Sequence, residues 1–141
     1  QGGGETEEEV QTIVRFSSHQ GQILVPVVLN GSVTTDVLLD TGSSMTIIST
    51  DLARELGLKV ATDRTIRLRT IAAEVQAFLT RLDYIELGNL RRSNFPVAVS
   101  DLKLGEQRKF DGILGMDFLN NYAIQIDNKD SRILLSPSSK Q

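Results

Sequence analysis

Asp40 stands where an apolar run meets a turn of small residues, Val37-Leu38-Leu39-Asp40-Thr41-Gly42-Ser43-Ser44, and β-forming residues resume at once in Thr46-Ile47-Ile48-Ser49. A strand that buries Leu38 and Leu39 carries this carboxylate toward the interior, where an unpaired charge is costly. The turn can offset that cost by surrounding the carboxylate with backbone N–H groups and with hydroxyls from Thr41 and Ser43. A carboxyl group held in this way is suited to general acid–base chemistry. The bland alternative is an ordinary Asp-Thr-Gly hairpin turn, in which Asp caps its own backbone and Gly supplies a positive φ. The apolar residues on both sides count against it, because a solvent-exposed hairpin tip does not need them.

Other reactive chemistry is scarce. The chain has no cysteine, which excludes disulfides, thiol catalysis and Cys-ligated metal. Its one histidine, His19, cannot build a His-based metal cluster, and it falls in a polar stretch, Ser17 to Gly21, that reads as an exposed turn. The formal net charge of -3 argues against nucleic-acid binding, and Arg91-Arg92 is too short a basic run to reverse that, so it reads as a solvated loop. A length of 141 residues with 40% hydrophobic residues suits one globular domain with one core. Aromatic residues are only 5% and Trp is absent, so that core should be aliphatic. No apolar run is long enough to span a bilayer as a helix. The chain begins with Gln rather than Met, as a trimmed fragment would, and an upstream signal peptide or anchor stays open.

The elements that must position Asp40 follow from turn signals and alternation. Residues 1–9, rich in Gly and Glu, cannot bury apolar area and read as a disordered lead-in to a domain over residues 10–136, with a flexible tail over 137–141. Val10 to Phe16 alternates as a first, edge-like strand. Gln22 to Leu29 and Val33 to Leu39 are strands joined by the hairpin signal Asn30-Gly31, with Pro26 required to sit where no partner needs its N–H. Met45 to Ser49 is the next strand. Thr50 to Gly57 is a short helix, capped by Ser49 or Thr50, burying Leu52 and Leu56, and ended by Gly57. Arg64 to Leu87 alternates as a hairpin with its tip near Ile71 to Ala73, and Leu82 to Leu87 extends as another strand. Asn94 to Val99 is a strand, Ser100 to Lys109 a polar loop, and Ile113-Leu114-Gly115 a buried strand with a short helix through Leu119. Tyr122 to Ile126 and Arg132 to Leu135 form a last hairpin around the Asp127 to Asp130 turn, and Ser136 to Gln141 frays. Many short strands with two small helices predict an all-β sandwich or closed barrel.

Two segments carry a family resemblance. Leu38-Leu39-Asp40-Thr41-Gly42-Ser43-Ser44, followed by Thr46-Ile47-Ile48, resembles the active-site loop of retropepsin-like aspartic proteases. Asp111-Gly112-Ile113-Leu114-Gly115-Met116-Asp117-Phe118-Leu119 is similar to their hydrophobic-hydrophobic-glycine segment and the helix after it. The two lie in the family's order, the match runs from about Gln22 to Leu135, and the version here looks more like cellular, especially bacterial, single-domain members than like viral enzymes.

The resemblance implies a single-lobe acid-protease fold and an endopeptidase acting on an extended polypeptide. Each chain carries one Asp-Thr-Gly, so a two-carboxylate mechanism implies a homodimer whose loops meet at a two-fold axis. One Asp40 would act as base on a lytic water while its partner, protonated, polarises the scissile carbonyl, the arrangement general to aspartic proteases. By the same resemblance Thr41 would hydrogen-bond across the axis, Gly42 would let the backbone approach the carboxylate, and Ser43 would support Asp40 from outside. Ile71 and Ala72 would form the tip of a flap over the peptide, or else a plain exposed hairpin. Ile113, Leu114 and Gly115 would pack around the loop, and Asp111 and Asp117 would be structural, Asp117 favoured near a helix N-terminus. Leu38, Ile47, Ile71 and Leu114 would bias the cleft toward apolar side chains. No metal or organic cofactor is expected. The sequence leaves the compartment open; the resemblance admits a bacterial periplasmic or membrane-tethered setting, the tether lying outside this chain.

Three rivals stand beside this reading. The same fold could hold peptides or build dimers without hydrolysis. A Ser-His-Asp hydrolase would need His19 as base and shows no nucleophile-elbow motif. A purely structural β-domain leaves the inward-directed Asp40 unexplained.

Overall fold

The structure, a computed structural model, describes residues 11–70, 74–101 and 111–138. The lead-in over residues 1–9, the hairpin tip at Ile71 to Ala73, most of the Ser100 to Lys109 loop and the last three residues lie outside the described residues.

Alternation of apolar and polar residues produces strands almost throughout. In chain order these are β1 (Thr12–Arg15), β2 (Ser17–His19), β3 (Gln22–Leu29), β4 (Val33–Leu39) and β5 (Ile47–Ile48), then helix α1 (Thr50–Glu55). There follow β6 (Ala61–Arg69), β7 (Glu74–Leu87), β8 (Leu90–Val99) and β9 (Gly112–Leu114), then helix α2 (Met116–Leu119), β10 (Tyr122–Asp127) and β11 (Arg132–Pro137). The larger sheet has the order β2-β3-β4-β9-β5-β8-β7-β6, and β7 returns to pair with β3 through Val28↔Glu86 and Leu29↔Ile85. Six strands therefore close on themselves as a barrel. A smaller sheet, β1-β11-β10, covers one side.

The Asn30-Gly31 hairpin explains how the barrel closes. Both residues have positive φ, 53° and 67°, the conformation that a two-residue turn between twisted strands demands. Asn30 then uses its side-chain Oδ1 to accept the N–H groups of Asp83 (2.7 Å) and Tyr84 (3.2 Å), fastening the turn to β7. Pro26 falls between the parts of β3 covered by β2 and by β7, so its missing N–H leaves no ladder bond unmade. At the N-terminus of α1, Ser49 Oγ accepts from Leu52 N (3.1 Å), and the helix buries Leu52 and Ala53.

Several elements differ from expectation. Ser17 to His19 is a short edge strand, with Gln20-Gly21 alone making the turn. β7 is one continuous strand of 14 residues. β8 begins at Leu90, four residues early, so Arg91 and Arg92 are strand residues and not a solvated loop. Their charges are absorbed by rings: the Arg91 guanidinium lies 4.1 Å from the centre of the Tyr84 ring and pairs with Glu86 at 2.8 Å. β11 continues to Pro137, and Ser138 N donates to Asn121 O (2.9 Å), so the chain is still tied down where fraying was expected.

The core is aliphatic, as the composition requires, and it has two parts. The larger joins the barrel interior to α1, α2 and the small sheet through Val25, Leu29, Val37, Ile85, Phe118 and Ile133. The smaller gathers Leu24, Leu38, Ile47, Ala98 and Ile113 from the barrel with Leu68 and Ala77 from the β6–β7 hairpin.

Candidate active site

Asp40 follows directly on β4, which is held by β9. The two strands run parallel, with Leu38↔Ile113 and Leu39↔Leu114, and Asp40 N donates to Leu114 O (3.0 Å). On its other side β9 pairs antiparallel with β5, through Ile47↔Ile113. The strand entering the turn and the strand leaving it are thus spaced apart by β9, and residues 40–46 bridge them as a loop over the start of α2.

That loop holds the carboxylate. Asp40 is only 2% exposed, although Thr41 and Gly42 beside it are exposed. Gly42 N donates to Asp40 Oδ1 (2.8 Å), and Ser43 N donates to Asp40 O (3.2 Å). The first of these bonds stabilises a buried carboxyl group that would otherwise be costly, and the second closes the backbone of the turn around it. Ser43 is fully buried and donates its hydroxyl to Met45 O (2.7 Å), so its proton serves the fold of the loop.

The loop is clamped from below by α2. Met116 N donates to Ser43 O (2.8 Å). Asp117 accepts twice from one residue: Thr46 N reaches Oδ2 (2.8 Å) and Thr46 Oγ1 reaches Oδ1 (2.7 Å). Thr46 Oγ1 in turn accepts from Gly115 N (3.1 Å), so a residue only 1% exposed has every polar group engaged near the turn. Gly115 admits no side chain, because a Cβ there would stand 2.6 Å from Met45 O and 2.7 Å from Ser43 O. Asp117 is therefore structural, and its role exceeds the favourable placement at a helix N-terminus read from sequence. Asp111 is structural as well: its Oδ2 accepts from Thr35 Oγ1 (2.7 Å), and its backbone joins Asp36 and Ser49.

Thr46 is the site residue that sequence reasoning missed. Its signal was a lone hydroxyl residue opening the run Thr46-Ile47-Ile48, at a position that packing alone would fill with another aliphatic side chain. Among the described residues, those expected to give an apolar cleft do not line one: Leu38 and Ile47 are fully buried in the smaller core cluster, where they pack against Ile113 and Ala98. Leu114 instead faces the main core, and its neighbour Ile113 takes the place beside the loop, because successive side chains on β9 point to opposite faces. Ile71 and Ala72 lie outside the described residues. His19 sits on the edge strand β2. Among the described residues no group of three or more His, Cys, Asp or Glu side chains is placed to hold a metal ion.

An Asp-Thr-Gly loop with its Asp buried, set on a closed barrel and locked by a hydrophobic-hydrophobic-glycine strand and the helix after it, is the arrangement of a single-lobe acid protease. A family profile described as aspartyl protease matches residues 25–118, about two thirds of the chain, and the protein belongs to that family. No curated protein matches it by sequence. Among solved structures it is similar to a retropepsin-like aspartic protease from Rickettsia conorii, with 21% identity, a TM-score of 0.62, and coverage of 89% of this chain and 90% of that one. EIAV protease, solved in complex with the inhibitor HBY-793, matches with 21% identity and a TM-score of 0.55 over 74% of this chain and 90% of the viral one. The aspartic proteinase of Irpex lacteus matches with 16% identity and a TM-score of 0.52, covering 92% of this chain but 47% of its own. At these identities the likeness establishes the fold, which is retropepsin-like.

Proposed function

We propose that the protein is an aspartic endopeptidase that works as a homodimer, with the two Asp40 carboxyl groups facing each other across the two-fold axis. The observation that carries this reading is the burial of Asp40 in a loop whose own backbone holds its carboxylate, at the family's signature position. One Asp-Thr-Gly per chain supplies half of the machinery, so the second carboxyl group comes from a second copy. The exposed Thr41 and Gly42 form the part of the loop available to meet that copy.

The pair holds one proton between its carboxyl groups, since two such charges at short range do not both ionise. The ionised Asp40 takes a proton from a water, whose oxygen attacks the scissile carbonyl carbon. The protonated Asp40 hydrogen-bonds the carbonyl oxygen and supports the tetrahedral intermediate. Collapse breaks the C–N bond as a proton passes to the leaving nitrogen, and the pair returns to its singly protonated state. The substrate is an extended polypeptide whose backbone pairs with the cleft as an added strand.

The test is cleavage of a peptide library by wild type and by Asp40→Asn. Asn keeps an Oδ1 acceptor for Gly42 N, so folding should persist while cleavage disappears. Specific activity should also fall on dilution, as dimers separate. Peptide binding by a wild type that cleaves nothing would favour a non-catalytic peptide-binding or dimerisation module.

A further inference from the structure

The open edges of the two sheets differ in how they are guarded. The larger sheet ends in β2, which is three residues long, and in β6. β6 carries Asp63, Arg64, Arg67 and Arg69, and its pairing shifts register between Ala61 and Ile66. Short length, charge and irregular pairing are the features that keep an exposed strand from joining another chain. β10, at the end of the smaller sheet, has none of them before its last residue. Tyr122-Ala123-Ile124-Gln125-Ile126 contains no charge and no Pro, and its register against β11 is unbroken from Tyr122↔Pro137 to Asp127↔Arg132.

The inner face of the smaller sheet is also uncovered at this edge. Ile124 and Ile126 share that face with their β11 partners Leu135 and Ile133, which are both buried. Ile126 is nevertheless 45% exposed, one of two large apolar side chains left so among the described residues. The other, Ile13, lies on the outer face of β1. At β1 the inner face is covered: Asn89 N donates to Thr12 Oγ1 (3.0 Å), and a Cβ on Gly88 would stand 3.1 Å from Val14. β10 also stands next to the Asp40 loop. Helix α2 has four residues and rises only about 6 Å. It begins with Met116, whose N–H holds Ser43 O, and only Asn120 and Asn121 separate its end from β10. One two-fold axis can therefore serve both the loop and the edge.

We propose that β10 pairs antiparallel with β10 of a second copy of this chain, joining the two smaller sheets into one of six strands. This rests on the homodimer reading above and names the surface that makes the dimer. A two-fold axis sets one residue of an antiparallel pair opposite its own copy. With Ile124 in that place, Tyr122 faces the second copy's Ile126, and Ala123 faces the second copy's Gln125. Each exposed Ile126 is then covered by a Tyr ring, and the free backbone groups of β10 gain partners. Centring on Gln125 instead would set Tyr122 opposite Asn128, which lies beyond the strand.

Cross-linking tests the register. The chain has no cysteine of its own, and Ala123 and Gln125 are exposed on the outer face, so thiols placed there report pairing without disturbing the core. Directly opposed residues of an antiparallel pair have Cα atoms about 4.5–5.5 Å apart, within reach of a disulfide. Ala123→Cys and Gln125→Cys proteins are prepared separately and oxidised alone and mixed. The mixture should give a species of doubled mass on a non-reducing gel, and neither protein alone should match it. Cross-linking that is stronger in either protein alone overturns the proposal. So does a mixture that stays uncross-linked while sedimentation shows dimers, and that result leaves the protease reading standing. A cross-linked dimer that cleaves no peptide refutes the protease reading and supports the interface. In a second measurement, Ile126→Lys should raise the dissociation constant of the dimer roughly tenfold by sedimentation, while Ile13→Lys on the far strand leaves it unchanged. Equal effects of the two variants overturn the proposal.

Discussion

Replacing Thr46 with Val tests whether the clamp beneath the Asp40 loop holds it in place. Val keeps the volume and β-branching of Thr but removes Oγ1, and with it the bond to Asp117 Oδ1 (2.7 Å) and the acceptor for Gly115 N (3.1 Å). A hydrogen bond to a charged group contributes about 1.5–3 kcal/mol, and a buried N–H left unpaired costs about 1–3 kcal/mol. Asp117 is partly exposed and can recover water, which lowers the first figure, so a total near 3 kcal/mol is expected. Against a domain stability of roughly 5–15 kcal/mol this is a large fraction. It corresponds to a fall in Tm of roughly 6–12 °C. Urea denaturation at one fixed protein concentration reads it, because the proposed dimerisation would couple stability to concentration. Thr46→Ser, which keeps the hydroxyl and loses a methyl group, should cost only about 1 kcal/mol. Equal losses in the two variants would show that burial of the side chain, and not its hydroxyl, stabilises the loop.

Other outcomes follow from the same geometry. Gly115→Ala forces a methyl group against the carbonyls of Ser43 and Met45, so it should destabilise the fold by about 3 kcal/mol and depress peptide cleavage at temperatures where the protein remains folded. If the proposed two-carboxylate mechanism holds, cleavage should be acid-leaning and fall as pH rises, which a pH profile of kcat on a fixed peptide reads directly. Asp127 is held below the usual aspartate range chiefly by the N–H of Asp130, and further by Arg132 and the N–H of Lys129. A depressed carboxyl contributes stability above its unfolded value and loses it as pH falls through the folded one. The gap in Tm between wild type and Asp127→Asn should therefore be largest above the ordinary aspartate pKa of about 3.9 and shrink as pH falls below it; a gap that widens with acid would contradict the turn geometry.

The division between what was readable and what was not follows the range of the interactions. The Asn30-Gly31 turn, the Ser49 cap and the alternation along β3 and β4 act between residues a few positions apart, so their residue types announce them. Asp40 itself was legible for the same reason, as a carboxylate delivered by buried neighbours into a turn of small residues. The start of β8 was not, because Arg91 and Arg92 read as solvent-seeking until Tyr84, Phe95 and Phe118 are brought beneath them.

By itself, then, the order of residues determined a β-rich barrel and a carboxyl group aimed inward at one loop. Only the tertiary structure decided that β9 slots between β4 and β5, and that Thr46 meets an Asp 71 positions away. The reason is physical: propensity and alternation act over a turn or two of chain, whereas a strand's neighbours are chosen by which apolar faces and unpaired backbone groups fit when the whole core assembles.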